Sequence, residues 1–480
     1  MESTSLYQRF RGWVKQYPLL AGPLWRMRTA LEGLASTISD LVATARRVAF
    51  LAWAQGWLRR HGAAIPAQSA PPANALIVML VWTYLPADPR VEREARALAE
   101  AGYRVKILCP QFAVPAPTPD WGDGIEIRYL AHDVAAPLRH FPWQMSQGFL
   151  EAALQEEAWA YHAHDLDTAL TALLAAAQKR VLCVCDFNEW YSENVTYDEA
   201  RKAFAPHSAV KKWLFRSIEE LALRHASRVV TVCESIAVEL QNKHKPPRSV
   251  AVVRNIPPQS INIESASAID LRQTLRIADD RAILLYQGGI GPSRGLEPLL
   301  DAMGLVQHAV LVIRGPGIEH FEAEYLRRAE KAGAAGKVFC LPPVTSARCT
   351  IEARAADLGF WTLLPICKNF TYALPNKVFE YMTAGLPLVC AHHPEVARLI
   401  GDYDIGRCFD PENPRSIAQA IDELACDAQA RRRCRANLAR ALADLRADVE
   451  WAKLVALYDG LCAAPRSRKA PADLDASRAA

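Results

Sequence analysis

Two doubly wound α/β domains, joined by one linker and preceded by a helical extension, are the architecture the sequence predicts. Three observations predict it. Apolar runs of about four to eight residues alternate with helical patterns along most of the chain, as in parallel sheets covered on both faces. The alternation breaks at the polar, proline-bearing stretch 256–270 and then resumes. The chain has 480 residues, 51% hydrophobic and 22% charged, the size and balance of a folded protein with two large domains.

Residues 1–61 form the extension. Positions 1–60 carry nine Lys/Arg against three Asp/Glu, with Trp13, Trp25, Trp53 and Trp57. Ile38, Leu41, Val42, Ala45, Val48, Ala49 and Ala52 recur at helical spacing, and Arg46 and Arg47 fall off that stripe. The run Val48–Leu58 is too short to span a membrane, which takes about 20 apolar residues. The polar opening MESTSLYQRFRG does not fit a secretory signal. Two readings stay open: a basic helix lying on an anionic membrane surface, or one packed on the protein's own body. Residues 62–74, rich in proline and small residues, read as a linker.

The first domain is expected over 75–255. Its strands are expected at 75–82, 103–109, 125–130, 158–164, 181–187, 228–233 and 249–255, and a helix over 91–102 is ended by Gly102. Residues 256–270 connect it to a second domain over 271–446, with strands at 282–288, 309–315, 337–342, 357–363, 387–391 and 406–409. A helix over 447–462 is expected to cross back to the first domain, and 463–480 to be a disordered tail. Two such sheets face each other across a cleft, which is the expected ligand site.

Charge and cysteine usage exclude several classes. A net charge of +4 over this length excludes a protein that coats nucleic acid. Twelve cysteines are scattered without a CxxC pair, and Cys183 and Cys185 lie two apart in an apolar run. Neither a zinc site nor a disulfide framework follows, and free thiols suit a reducing cytosol.

Two stretches carry chemistry. In YQGGIGPSRGLEPLLDAM (286–303) a strand ends at Gly288 and Gly289, and a helix starts near Leu296. Such a turn lets a ligand approach the backbone, the helix start offers N–H groups, and Arg294 adds a full charge: a diphosphate cradle. The spacing is neither GxGxxG nor a P-loop, which argues against a dinucleotide dehydrogenase or a kinase. In FTYALPNKVFEYMTAGLPLVCA (370–391), Pro375 suits the first turn of a helix, so Asn376 and Lys377 stand at an N-terminus that attracts anions. Glu380 shares a face with Lys377. A lysine for phosphate and a carboxylate for a sugar diol fit a nucleotide-sugar; an ordinary surface salt bridge is the plainer alternative.

The ordered set resembles the family 4-like glycosyltransferases of the GT-B fold. LPNKVFEYMTAGLPLV is close to that family's most recognisable segment, and LLYQGGIGPSRGLEPLLDAM is similar to its phosphate loop. LVIRGPG (311–317), TVCES (231–235), VVRNIPP (252–258), DPRVEREARALAEAGYRV (88–105) and AHDLDTALTALLAA (163–176) match further signposts in order, so the resemblance covers about 75–462.

The resemblance implies two Rossmann-like domains and residue roles. Glu380 would hold the ribose hydroxyls. Gly288, Gly289, Arg294, Arg314, Asn376, Lys377 and Val378 would contact the rest of the donor, and Pro342 and Val344 would border the nucleobase. His164 would approach the transferred sugar, joining Arg294 and Lys377 as the expected catalytic set. Asp165, Asp186, Asn188 and Glu189 would lie on the acceptor side. Arg90 joins them there, at a helix start where binding phosphate and capping a loop are both open. Neither a metal nor another cofactor is expected.

The implied reaction is transfer of a sugar from a nucleotide-sugar to a hydroxyl of a polysaccharide, lipopolysaccharide or lipid-linked glycan precursor, with retention. A cytoplasmic protein, peripheral on the inner membrane face, is the expected setting. The sequence departs from the family at Tyr372, where a glutamate is common, at Gly289, where a basic residue is common, and at Asn188, where a histidine is common. A degenerate GT-B scaffold protein and a sugar-nucleotide epimerase are the alternatives.

Overall fold

The computed structural model describes residues 41–461 except 43, 46, 63–70, 86–87, 112–117, 131–142, 199–200, 259–266 and 346–347. The first 40 positions of the extension, most of the 62–74 linker, the middle of the 256–270 connection and the 463–480 tail lie outside the described residues.

The first half contains β1 (Leu76–Leu80), β2 (Arg104–Pro110), β3 (Ile125–Leu130), β4 (Ala160–His164), β5 (Leu182–Phe187), β6 (Val195–Asp198), β7 (Ala203–Pro206), β8 (Arg228–Thr231) and β9 (Ala251–Val252). Seven of these pair in parallel in the order β3-β2-β1-β4-β5-β8-β9. The second half contains β10 (Ala282–Gln287), β11 (Ala309–Arg314), β12 (Val338–Leu341), β13 (Leu358–Trp361), β14 (Leu388–Ala391) and β15 (Gly406–Phe409). They pair in parallel in the order β12-β11-β10-β13-β14-β15.

Strands β1, β4, β5, β10, β11, β13 and β14 are buried along almost their whole length, which is why their sequences are apolar rather than alternating. Each sheet reverses its order beside its first strand, between β1 and β4 and between β10 and β13. Ligands bind beyond the carboxyl ends of the strands at such points. The strand ends there carry Gln287 and then Gly288 in one sheet, and His164 and then Asp165 in the other.

The helix Ala447–Asp459 packs against the first domain. Its Tyr458 Oη lies 2.7 Å from His162 Nδ1, and Asp459 accepts from Tyr103 Oη at 2.9 Å. Trp451 donates to the Ile256 carbonyl at 3.1 Å. The two domains also touch directly. Ser235 donates from N and Oγ to Glu395 at 2.8 and 2.6 Å, and Trp190 N–H donates to Asn369 Oδ1 at 2.7 Å.

Two features differ from the sequence expectation. The antiparallel pair β6–β7 was not foreseen; each strand has four residues and shows no buried face, so no apolar period marks it. The extension's helix, followed to residue 61, turns a different face inward. Leu51, Ala54 and Leu58 are buried in the first domain's core, whereas Leu41, Val42 and Trp53 are exposed, as are Ala45, Ala49 and Ala52. The segment is apolar on both sides, so helical spacing alone does not choose the buried one.

Candidate active site

The glycine turn after β10 is shaped around one side chain. Gly288 has φ +147°, and a Cβ there would lie 1.8 Å from Lys377 Cε. The missing side chain is the space through which Lys377 reaches the turn. Lys377 Nζ donates to Tyr286 Oη at 3.3 Å and lies 4.9 Å from that ring's centre, while Tyr286 Oη donates to the Gly289 carbonyl at 2.8 Å. Gly315 repeats the device one strand over, since its Cβ would overlap the Gly288 carbonyl. Lys377 is the second residue of the helix Asn376–Thr383, whose N-terminus carries no side-chain cap. That first turn, with no side chain capping it, carries the ammonium that reaches the glycine turn.

Arg294 ends the one-turn helix Pro292–Arg294 beside this cradle, and its charge is felt by Lys377 and, from the other domain, by Glu189. Burial pulls the Lys377 ammonium down to about 7, Arg294 adds to the effect, and Glu380 opposes it. Glu380 is itself raised by burial and held back by Arg93 of the first domain and by Lys377. Arg93 donates to Asn255 Oδ1 at 2.7 Å, so it is fixed where it faces Glu380 across the cleft. The structure thus gathers Gly288, Gly289, Arg294, Asn376, Lys377 and Glu380 into one place. Val378 departs from expectation: its side chain is fully buried in the core, and its N–H bonds to the Pro375 carbonyl at 3.2 Å. Pro342 is exposed and Val344 half-buried on the loop after β12.

The Lys377 shift has a measurable consequence. A bound pyrophosphate favours the ammonium, so binding is expected to take up a proton above pH 7. Affinity should be full below about pH 7 and fall as pH rises past it. Calorimetry of nucleoside diphosphate binding between about pH 6.5 and 9, in buffers of different ionisation enthalpy, checks this. A flat profile, or an unchanged slope in Lys377→Met, would refute it.

The first domain offers carboxylates. Asp165 begins the helix Asp165–Lys179 with φ +61°, an uncommon conformation for a residue with a side chain, and accepts from the Asn188 N–H at 3.0 Å. Burial, with Glu189, Asp186 and Asp88 nearby, holds its pKa well above the usual range. Glu189 accepts from Asn194 at 2.9 Å and from Asn369 of the second domain at 3.4 Å. The common-glutamate position Tyr372 lies elsewhere: it stacks on Trp190 with centroids 6.3 Å apart and donates to Glu239 at 2.9 Å. It therefore belongs to the domain contact.

Three expected cleft residues are corrected. Arg90, Asp186 and His164 are 1%, 0% and 2% exposed. Arg90 forks onto Asp186, Nε to Oδ2 at 2.6 Å and Nη2 to Oδ1 at 2.8 Å, and donates to the Val253 carbonyl at 3.0 Å. It also pairs with Glu94 at 3.0 Å. His162 and His164 turn Nε2 toward Glu94 Oε2 at 3.3 and 3.2 Å, and burial keeps the His164 imidazole neutral. Ligand-type atoms of Glu94, His162, His164 and Asp186 lie within 4.8 Å of one another, but the Arg90 guanidinium already pairs with both carboxylates of the group. A buried, paired cluster of this kind holds elements together; removing one partner costs roughly 3–5 kcal/mol. Arg93 and Asn369 are cleft residues that sequence reasoning missed. Arg93 lies three residues after Arg90 on the same helix, the one signal that pointed to it.

A family model described as a glycosyl transferase 4-like domain matches residues 87–255, and one described as glycosyl transferases group 1 matches 268–440. An uncharacterized glycosyltransferase of Methanocaldococcus jannaschii is 27% identical over 219 residues, 44% of this chain and 54% of that protein. The chain thus spans about half the length of this curated relative. Among solved structures, sucrose-phosphate synthase from Thermosynechococcus elongatus has a TM-score of 0.63 at 16% identity, covering 81% of this chain and 99% of that one. Anabaena HepE in complex with UDP and glucose has a TM-score of 0.60 at 17% identity, covering 80% and 100%. At these identities the two structures speak for the fold, which is GT-B.

Proposed function

Because the chain belongs to the family 4-like glycosyltransferases, we propose that it moves a sugar from a nucleotide-sugar donor to an acceptor hydroxyl with retention of anomeric configuration. One observation supports this most: Lys377 threads over Gly288 and faces Glu380 and Arg294, a cation pair and a carboxylate around an open helix N-terminus. Such a set suits a pyrophosphate and a ribose diol. Anabaena HepE, of the same fold, is solved with UDP and glucose.

In the proposed step the bond from the anomeric carbon to the pyrophosphate breaks first. Charge grows on the leaving oxygens, where Arg294, Lys377 and the Asn376–Thr383 N-terminus stabilise it without a metal or other cofactor. The acceptor hydroxyl enters on the same face and gives its proton to the departing phosphate. Asp165 and Glu189 accept hydrogen bonds from the acceptor's other hydroxyls. Closure of the domains excludes water and fixes the geometry. The test is turnover: purified full-length protein with UDP-, GDP- and ADP-sugars and glycan or lipid-linked acceptors, with the product anomer read by NMR. A retained product is expected. Absence of turnover with nucleotide binding intact would favour a scaffold, and an inverted product would overturn the mechanism.

Among the described residues no helix is long and apolar enough to cross a membrane. We propose that the extension attaches the protein to anionic membranes, where a lipid-linked or polysaccharide acceptor would be met. Leu41, Val42 and Trp53 stand outward on its helix, with Arg59 and Arg60 exposed. Vesicle flotation of the full chain against Leu41→Asp/Trp53→Asp decides it: the substituted protein should stay behind, and equal flotation would dispose of the attachment.

A further inference from the structure

Arg314 ends β11 and Gln287 ends β10, and the two are Cα partners in the parallel register, so their side chains leave one face of the sheet together. Both are 3% exposed. Gln287 donates from Nε2 to the Cys349 carbonyl at 2.9 Å. That bond fixes the amide: the nitrogen faces Cys349 and Oε1 faces away, buried and without a partner. Arg314 Nε and Nη1 are likewise buried without a hydrogen bond. Glu352 Oε2 is the ion-pair partner of Arg314, 3.7 Å from Nη1 and so beyond hydrogen-bond reach, and accepts a hydrogen bond from the Ile269 N–H at 3.1 Å, while Glu352 Oε1 accepts from Arg348. Buried polar atoms are ordinarily paired, so donors and an acceptor left open side by side at the ligand end of a sheet point to a ligand.

Their place along the cleft says which part of a ligand. Gln287 precedes Gly288, whose missing side chain admits Lys377, and Arg314 precedes Gly315, which abuts the Gly288 carbonyl. Arg314 is also the Cα partner of Leu341, the last residue of β12 before the loop that carries Pro342 and Val344. The pair therefore lies between the phosphate cradle and that loop, and a nucleotide-sugar whose pyrophosphate sits at Lys377 and Arg294 brings its base to Arg314.

We infer that Arg314 and Gln287 read the donor's base and select a keto base, uracil or guanine, over adenine or cytosine. A guanidinium only donates, and the fixed Gln287 Oε1 only accepts. Uracil and guanine present a carbonyl oxygen beside a ring N–H, which takes both. Adenine and cytosine present an amino group beside a bare ring nitrogen, which sets donor against donor and acceptor against acceptor. The inference rests on the nucleotide-sugar reading above. It adds a base preference that Lys377, Arg294 and Glu380 cannot supply, since phosphate and ribose are common to all four nucleotides.

Isothermal titration of the full-length protein with UDP, GDP, ADP and CDP at one pH and ionic strength tests it. UDP or GDP is expected to bind roughly 10- to 100-fold more tightly than ADP and CDP. Arg314→Met should level that ranking, and Arg314→Lys, which keeps the charge and loses the fork, should narrow it. The thermal midpoint of ligand-free Arg314→Met controls for folding; should that variant fail to fold, Gln287→Met and the wild-type ranking still decide. Equal binding of all four nucleotides, or an unchanged ranking in the variants, overturns the base reading and leaves the donor site standing. Binding of none of the four removes the nucleotide-sugar reading itself, and this inference with it.

Discussion

Glu380→Ala is expected to weaken nucleoside diphosphate binding roughly 30- to 1,000-fold while leaving the fold intact. The size follows from chemistry. A carboxylate accepting both ribose hydroxyls makes hydrogen bonds to a charged group, each contributing about 1.5–3 kcal/mol. The two bonds share one carboxylate and are not additive, so the combined loss is set at about 2–4 kcal/mol, which is that range in affinity. The fold should survive because Glu380 is raised by burial, so its charge sits where solvent is scarce and removing it relieves desolvation. Arg93 loses an opposing charge but keeps its bond to Asn255. Lys377 loses the charge that opposes its depression, so its ammonium should weaken further and the pH fall in affinity should begin lower. Calorimetry with a nucleoside diphosphate and its 2′,3′-dideoxy counterpart isolates the diol. The variant should lose affinity for the first and little for the second. Equal affinities of wild type and variant for the ribonucleotide would take the role away from Glu380.

Much of the fold was legible because parallel strands write themselves as apolar runs. VLCVCDF contains β5 and AVLVIRG contains β11, and no periodicity had to be resolved beyond that. The donor cradle was legible for a related reason. Gly288, Arg294, Lys377 and Glu380 belong to two short segments, each of which folds locally into a turn and a helix start. What a segment does on its own, sequence can tell. Whom it meets is another matter. Arg90 and Asp186 are 96 positions apart, and nothing in PRVERE announces a buried fork onto DFNEW. His162 finds its partner in Tyr458, 296 positions on, through a helix that crosses domains. Arg93 meets Glu380 by the same kind of closure. The extension's helix shows the remaining limit. With apolar residues on two faces, the choice between Leu51/Ala54/Leu58 and the outward stripe belongs to the surface that receives it.

Arg294→Ala is expected to cut turnover roughly 100- to 1,000-fold with a much smaller change in donor affinity. Losing one preorganised donor to developing charge costs about 2.7–4 kcal/mol in the transition state. Donor binding is spread over Lys377, Glu380 and the helix N-terminus, so the ground state has other anchors. The bridging oxygen gains its charge only as the glycosidic bond breaks, and a cation placed for it acts on kcat before Kd. Lys377 alone cannot make up the loss, because its ammonium is already pulled down to about 7 by burial and is a single point charge without the guanidinium's fork of donors. Removing Arg294 should restore some of the Lys377 charge, which blunts the effect on affinity and leaves the rate deficit exposed. It should also raise Glu189 further, since Arg294 is the main charge holding that carboxyl down. Steady-state and single-turnover kinetics with a separate Kd measurement distinguish the cases. A loss confined to KM would make Arg294 a uniform binding residue, and a normal rate would move the burden of leaving-group stabilisation to Lys377 and the backbone N–H groups of Asn376–Thr383.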